Sequence, residues 1–366
     1  MTVKRWCVVA ALLALMALVF VPAAHTHGKI KSTVHLVSLD LHLAGSICDF
    51  TNNHGHDKRI WSRSLYQKRD LYVYLPPGYC KDQAYPVIIY LHGFGTDEQN
   101  FLKLVPTIDD AIVKGKLPPV IVAAPDGSLD GQGCCTRPGS FWINSNAGGY
   151  EDFVLQDVWD HLVNNYSIRP EREAHVLAGI SMGGFGAFNL GIRHRDAFGI
   201  VAGIMPPLNL RWQDCQGNPR AKFDPRFWGW RTAFDEREVV ARLGVVTVRL
   251  GDLLTPVFGQ GDAATAEIIA NNPIELVDRT RLRNGELAMF IGYGGRDEFN
   301  VDAQVESFLY LCKHRGIAVS VAYDPHGHHN AVLASECAPA LFEFLAQRLS
   351  GCGPCPCGPA RPKMLP

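Results

Sequence analysis

Short, unbroken apolar runs that stop at turn residues constrain this chain more than any other feature. Val87-Ile-Ile-Tyr-Leu91 ends in His92-Gly-Phe-Gly95, Val120-Ile-Val-Ala-Ala124 ends in Pro125-Asp-Gly127, and His175-Val-Leu-Ala-Gly-Ile180 leads into Ser181. A strand with one wet face alternates polar and apolar residues. A continuous apolar run fits a strand covered on both faces, as in a parallel sheet. Residues 69–75, 286–292 and 317–323 read as further strands. Between them, Glu151–Tyr166 places Phe153, Leu155, Val158 and Leu162 at helical spacing, with Glu151 and Asp152 in the first turn. Helices are also predicted over 182–194, 302–315 and 331–349. Strands alternating with helices imply βαβ units and a mostly parallel central sheet with helices on both faces. Residues 205–284 break the alternation and read as a cap-like insertion.

Both ends of the chain differ from this middle. Lys4 and Arg5, an apolar run from Trp6 to Val21, and Ala23-Ala24 have the plan of a cleavable signal peptide over residues 1–24. The run is short for a bilayer span of about 20 residues, so a secreted, periplasmic or envelope location and no membrane span after cleavage are expected. Residues 25–59 read as a strand over Thr33–Leu39 followed by a turn-rich loop at Asn52–Asp57, and 60–350 as the main domain. Residues 351–366 form a Cys/Pro/Gly-rich tail with no apolar face to bury. Of eleven cysteines, loss of Cys7 with the signal leaves ten (11 − 1), an even number that in an exported chain predicts disulfides of unreadable pairing. Lys plus Arg number 35 against 36 Asp plus Glu. That balance leaves no electrostatic footprint for nucleic acid or anionic membranes.

Gly179-Ile-Ser-Met-Gly183 fits G-x-S-x-G, with a buried strand before it and a small-residue helix after it. The sharp strand-to-helix turn of an α/β-hydrolase holds such a serine above the sheet edge, and its glycines keep side chains out of the neighbouring strands. Ser181 is therefore the candidate nucleophile, with the backbone N–H of Met182 as an oxyanion donor. The second donor belongs in the loop after an early buried strand, which points to the N–H of Phe94. An orienting acid and then a histidine should follow, each after a late strand. Tyr293-Gly-Gly-Arg-Asp-Glu298 offers Asp297, with Glu298 as its neighbour and rival. Asp324-Pro-His-Gly-His-His-Asn330 offers His326, His328 and His329.

Gly-Ile-Ser-Met-Gly-Gly184, Leu91-His-Gly-Phe94, Ser140-Phe-Trp-Ile-Asn-Ser145 with Tyr150-Glu-Asp152, and Gly-x-x-Asp297 followed by Gly-His328 together resemble the putative-esterase family of α/β-hydrolases. That family includes feruloyl and acetyl-sugar esterases, enterochelin-type esterases, S-formylglutathione hydrolase and mycolyltransferases. The resemblance runs from about Ile60 to Leu349. It implies that the catalytic histidine follows glycine in Pro-x-Gly-His, which here selects His328. The family often continues with an acidic or small residue and then Trp, whereas this chain has His329 and Asn330.

The resulting expectation is an exported serine ester hydrolase of the Ser181–His328–Asp297 type, with a small-molecule or saccharide ester as partner and no cofactor. An acyltransferase of the mycolyltransferase type would use the same residues, and a catalytically silent binding protein would keep the fold alone. Metal catalysis by the clustered histidines, with His54 and His56, is disfavoured by the lack of spaced carboxylate ligands. Trp228 and Trp230 read equally as an aromatic wall of a cleft or as rings holding the insertion down. Asn144 and Ser145 are candidates for the cleft or for a turn.

Overall fold

The computed structural model describes residues 36–131, 139–243 and 246–350. The predicted signal segment, the Cys/Pro/Gly-rich tail and Cys134–Cys135 lie outside the described residues. Eight strands form the central sheet: β1 Ser46–Phe50, β2 Leu71–Leu75, β3 Val87–Leu91, β4 Ile121–Pro125, β5 His175–Ile180, β6 Ile200–Ile204, β7 Ala288–Gly294 and β8 Ser320–Asp324. Their spatial order is β1-β2-β4-β3-β5-β6-β7-β8. β2 is antiparallel to both of its neighbours, and every pairing from β4 to β8 is parallel.

The unbroken apolar runs are explained by burial on both faces. On one face Val87, Ile89, Leu91, Leu177, Val201 and Ile291 pack under α3 (Met182–Arg193) and the helical run from Tyr150 to Asn165. On the other, Ile88, Tyr90, Val122, Val176, Ala202 and Phe290 pack under α1 (Val105–Val113) and α8 (Ala331–Leu349). The 150–165 run closes with α2 (Trp159–Asn165) after a π-helical stretch over Phe153–Val158.

Residues 36–42 are helical, not the strand that alternation at Thr33–Leu39 suggests. Leu36, Leu39 and Leu43 recur at i, i+3 and i+7 and pack against the second core, while Val37 and Leu41 are exposed. Helical period thus wins over the apparent period of two.

The stretch 205–284 contains a hairpin of Trp212–Asp214 with Trp228–Trp230 and another of Val239–Leu243 with Val246–Arg249. Three helices follow: α4 (Leu250–Phe258), α5 (Gly261–Asn271) and α6 (Pro273–Arg279). Asn189 on α3 donates to the Asn271 carbonyl at 2.6 Å, and Ile274, Leu276 and Val277 are buried. Its second half therefore belongs to the helical layer over the sheet. α7 (Val301–His314) connects β7 to β8. No helix among the described residues is long and apolar enough to cross a membrane. Cys48, Cys80, Cys215, Cys312 and Cys337 are free thiols.

The turn from β5 into α3 is the tightest point of the fold. A Cβ on Gly183 would lie 1.8 Å from the Leu91 carbonyl oxygen, and one on Gly179 would lie 2.2 Å from the Gly183 carbonyl. A methyl at 183 must force the end of β3 away from α3, both of which are held by full cores. Gly183→Ala is expected to lose at least about 2 kcal/mol of stability, read from urea unfolding. A wild-type midpoint would contradict this packing.

Candidate active site

Ser181 sits between β5 and α3 with φ +53° and ψ −118°, a left-handed conformation that a non-glycine residue holds only under constraint. The constraint is visible. Ser181 N–H donates to the Ile204 carbonyl at 2.8 Å, and its own carbonyl accepts from Phe185 N–H at 3.0 Å. The hydroxyl is thereby presented at the carboxyl edge of the sheet.

Two loops from later strands meet it there. His329 Nε2 lies 2.9 Å from Ser181 Oγ, and His329 Nδ1 lies 2.6 Å from Asp297 Oδ2. Asp297 is almost wholly buried and His329 nearly so. The other carboxylate oxygen of Asp297 accepts from Phe299 N–H at 2.8 Å and Val301 N–H at 3.3 Å, tying the acid to the start of α7. Because an ionised carboxylate only accepts, the network assigns the proton of neutral His329 to Nδ1 and leaves Nε2 to accept from the serine. The Phe299 ring packs edge-on against His329, with centroids 4.9 Å apart. A hydroxyl, an imidazole and a carboxylate in this order can move a proton off the serine and hold the resulting imidazolium.

This corrects the histidine expected from the Gly-His pattern. His328 is half exposed and points its Nδ1 at Glu298 Oε1, 2.8 Å away, while His326 is exposed on the same loop. Packing decides between the neighbours. Gly327 is pressed against Gly294, where a Cβ would meet the Gly327 oxygen at 2.3 Å. Asn330 caps α8 by accepting from Val332 and Leu333 N–H. With the chain fixed on both sides, the two intervening side chains point apart, and the one next to the cap faces the serine. The Asn330 cap was the sequence signal for that register.

A third loop at the serine, from the earlier strand β3, is Gly93-Phe94. A Cβ on Gly93 would lie 3.3 Å from the Ile180 carbonyl oxygen and 3.6 Å from Ser181 Cβ, so the loop that leads into Phe94 packs against the turn of Ser181, and Met182 opens α3 directly after that turn. This loop is braced from beneath. Gly127 N–H donates to His92 Nε2 at 2.8 Å, which leaves His92 Nδ1–H to donate to the Gly93 carbonyl at 2.9 Å. Trp142, fully buried, donates its indole N–H to the His92 carbonyl at 3.3 Å. Phe141 and Trp142 both adopt positive φ, and a Cβ on neighbouring Gly139 would strike the Met182 sulfur. The 140–145 motif thus includes a residue that holds the loop, Trp142, which local pattern does not single out.

Asn144 lies elsewhere. Asn144 Oδ1 accepts from Asp152 N–H at 3.1 Å. Asn144 lines an open polar cavity of about 400 Å³ with Glu151, Arg193, Asn271 and Arg279, at the opposite end of α3 from Ser181. Ser145 accepts from Ala147 N–H within its hairpin turn. Trp228 packs against Trp212, Phe223, Trp230 and Tyr310 of α7, and Arg211 stacks over Trp230. These rings hold the first hairpin of the insertion onto α7.

Among the described residues, the group that could hold a metal is Asp70, Glu98 and Asp126, whose carboxylate oxygens lie within 4.8 Å of one another. The corner already has internal partners. Arg69 pairs with Asp126 at 2.8 Å, Asn52 N–H donates to Asp70 at 2.7 Å, and Asn53 donates to Glu98 at 2.6 Å. Burial raises Asp126, but the Arg69 guanidinium, His92 and Ser128 together outweigh it and hold the acid below its ordinary range. Burial, with Asp126 nearby, pushes Asp70 up to about 6, and burial also raises Glu98. His54 is engaged by the Tyr72 hydroxyl at 2.7 Å, apart from the 326–329 histidines.

The sequence profile of the Putative esterase family matches residues 62–342. The chain belongs to the Putative esterase family. It is 28% identical over 157 residues to an endo-1,4-beta-xylanase/feruloyl esterase of Xylanibacter ruminicola, covering 40% of this chain and 21% of that protein. It is 27% identical over 166 residues to esterase Rv1288 of Mycobacterium tuberculosis, covering 43% and 34%. To S-formylglutathione hydrolase of Arabidopsis thaliana it is 26% identical over 176 residues, covering 43% and 60%. The matched region thus spans less than two thirds of each of these relatives. Among solved structures, a ferulic acid esterase superposes with a TM-score of 0.60 at 19% identity, covering 84% of this chain and 99% of the other. S-formylglutathione hydrolase of Agrobacterium tumefaciens gives 0.57 at 17% identity, covering 84% and 96%. The fold of this esterase-family chain is accordingly the α/β-hydrolase fold.

The buried acidic corner yields a pH-dependent prediction. A carboxyl raised to about 6 from its ordinary 3.8 contributes stability below 3.8 that is lost as pH rises through 6. Asp70→Asn keeps the acceptor for Asn52 and removes the ionisation. It is expected to match wild type at pH 4 and to be about 2 kcal/mol more stable at pH 8. Urea unfolding at the two pH values checks this, and an equal change at both would contradict it.

Proposed function

We propose that this member of the esterase family cleaves carboxylic esters by acyl transfer through Ser181, with His329 as general base and acid and Asp297 as the group that orients it. The observation that carries this reading is the pair of His329 contacts, 2.9 Å to Ser181 Oγ and 2.6 Å to Asp297 Oδ2. Ser181 Oγ attacks the ester carbonyl while His329 Nε2 takes its proton. The backbone N–H groups of Phe94 and Met182 receive the oxyanion. His329 then returns the proton to the departing alcohol, and the carbon–oxygen bond to that alcohol breaks. Water repeats the sequence on the acyl-enzyme and releases the acid.

Feruloyl or acetyl esters of sugars are the proposed substrates, in line with relatives named feruloyl esterase. Export through the 1–24 segment is part of the same reading and supplies a route to extracellular polymers.

Ser181→Ala and His329→Ala are each expected to lower kcat on p-nitrophenyl acetate by at least about 10⁴-fold. His328→Ala should stay within about threefold of wild type, since its ring faces a surface carboxylate. A fluorophosphonate adduct, read by intact mass, is expected on wild type and absent from Ser181→Ala. A His328→Ala loss equal to that of His329→Ala would reverse the assignment, and full activity in Ser181→Ala would end it. Turnover of methyl ferulate against p-nitrophenyl acetate then tests the aromatic acyl group.

A further inference from the structure

Asp297 and Glu298 are adjacent, yet their carboxylates reach the same histidine from two sides. Asp297 takes the ring at Nδ1, and Glu298 Oε2 accepts from the backbone N–H of His329 at 2.9 Å. The other oxygen of Glu298 holds the His328 ring at 2.8 Å, on the solvent side. Glu298 is itself held from behind, because Arg220 donates to its carbonyl at 3.1 Å. Asn300 donates to the carbonyls of Pro219 and Ala221, fixing the same turn against the insertion.

Upstream, the acid loop and the histidine loop are stitched by main-chain bonds from Gly295 N–H to the Asp324 carbonyl and from Arg296 N–H to that of Gly327. This pairing stops at 327. Beyond it, the side chain of Glu298 is what joins the acid loop to the His329 main chain. Without it, the peptide carrying the base is held from one side, by the Asn330 cap. A tandem His-His also needs a rule for which ring enters the site. One carboxylate that binds the second histidine's backbone and the first one's side chain supplies that rule.

We infer that Glu298 is a positioning residue for the esterase reaction: it fixes the main chain of His329 in reach of Ser181 and retains His328 outside the site. The inference rests on the Ser181–His329–Asp297 reading above. It predicts that Glu298 acts on the chemical step through geometry, because a base displaced by about 1 Å can cost on the order of 10²-fold in rate.

The test compares Glu298→Ala, Glu298→Asp and Glu298→Gln on p-nitrophenyl acetate. Glu298→Ala should lower kcat by about 10- to 100-fold with KM within about twofold. Glu298→Asp keeps the charge but falls one methylene short of His329 N–H, so it should lose a similar amount. Glu298→Gln keeps an oxygen acceptor in place and should recover to within about fivefold of wild type. The downfield proton NMR signal of the His329 Nδ1–H to Asp297 bond should persist in Glu298→Gln and broaden in Glu298→Ala. If Glu298→Ala does not fold, the Asp and Gln variants carry the comparison. Wild-type kcat in Glu298→Ala or Glu298→Asp, equal losses in the Asp and Gln variants, or a rise in KM at constant kcat would overturn the positioning role. An inactive wild type, or an active Ser181→Ala, would instead overturn the underlying reading.

Discussion

Everything at the carboxyl edge of the sheet depends on the contact of Gly183 with the end of β3. Leu91 is buried at that strand's last position, and its carbonyl leaves no volume for a side chain on α3. The helix therefore starts against the sheet, and the single residue left to make the turn is Ser181 at positive φ. Strain at Ser181 is balanced by full packing on both sides of the turn, by Phe185 and Phe188 on α3 and by Ile89 and Leu177 on the strands. A looser junction would let the serine relax to ordinary backbone angles and withdraw its hydroxyl from the loops that meet it.

The same junction organises the loop after β3. Gly93 lies against Ile180 and Ser181, so the loop leading into Phe94 and the turn of Ser181 share one packing surface. His92 and Trp142 prop that loop from below, and their own bonds run to Gly127 and to the main chain. Beneath them lies the buried acidic corner. Asp126 stays ionised against Arg69, whereas Asp70 and Glu98 are pushed toward their neutral forms. One charge with one counter-charge is the arrangement a dry interior tolerates. That corner is distinct in chemistry from the Ser181, His329 and Asp297 contacts and is joined to them through His92 and its loop.

What could be read from sequence separates from what could not by the range of the interaction involved. The family, the central sheet and the positions of Ser181 and Asp297 at strand ends follow from local signals: an apolar run, a glycine pair, a turn. His329 did not follow, because the choice over His328 depends on Gly327 meeting Gly294 from a different strand and on the start of α8. Residues 36–42 misled for a related reason. Val37, Leu39 and Leu41 alternate as in a strand while Leu36, Leu39 and Leu43 keep a helical spacing, so either period fits until the surface they pack against is known. Asn144 failed on distance alone. It shares a motif with Trp142, which bonds to the His92 carbonyl, but two residues of the turn carry it toward the far end of α3. Trp228 and Trp230 were balanced between two readings, and the ring contacts with Tyr310 favour the structural one.

The Ser181–His329 contact also sets a geometric problem that the loop glycines solve. Ser181 follows β5 and His329 follows β8, three strand spacings away, or about 14 Å at roughly 4.8 Å per spacing. Yet their side chains meet at 2.9 Å. The loop after β8 must therefore fold back over the ends of β7 and β6, and any bulk at the crossing would lift it off the sheet. Gly294 and Gly327 are the crossing point, with no room for a Cβ on Gly294. Bonds from Gly295 and Arg296 to Asp324 and Gly327 then lay the two loops side by side. The acid thus travels with the histidine as one unit, anchored by Asn300 to the insertion and by Asn330 to α8. Residues far from the serine in sequence, on the insertion and at the last helix, consequently share control of a distance of one hydrogen bond.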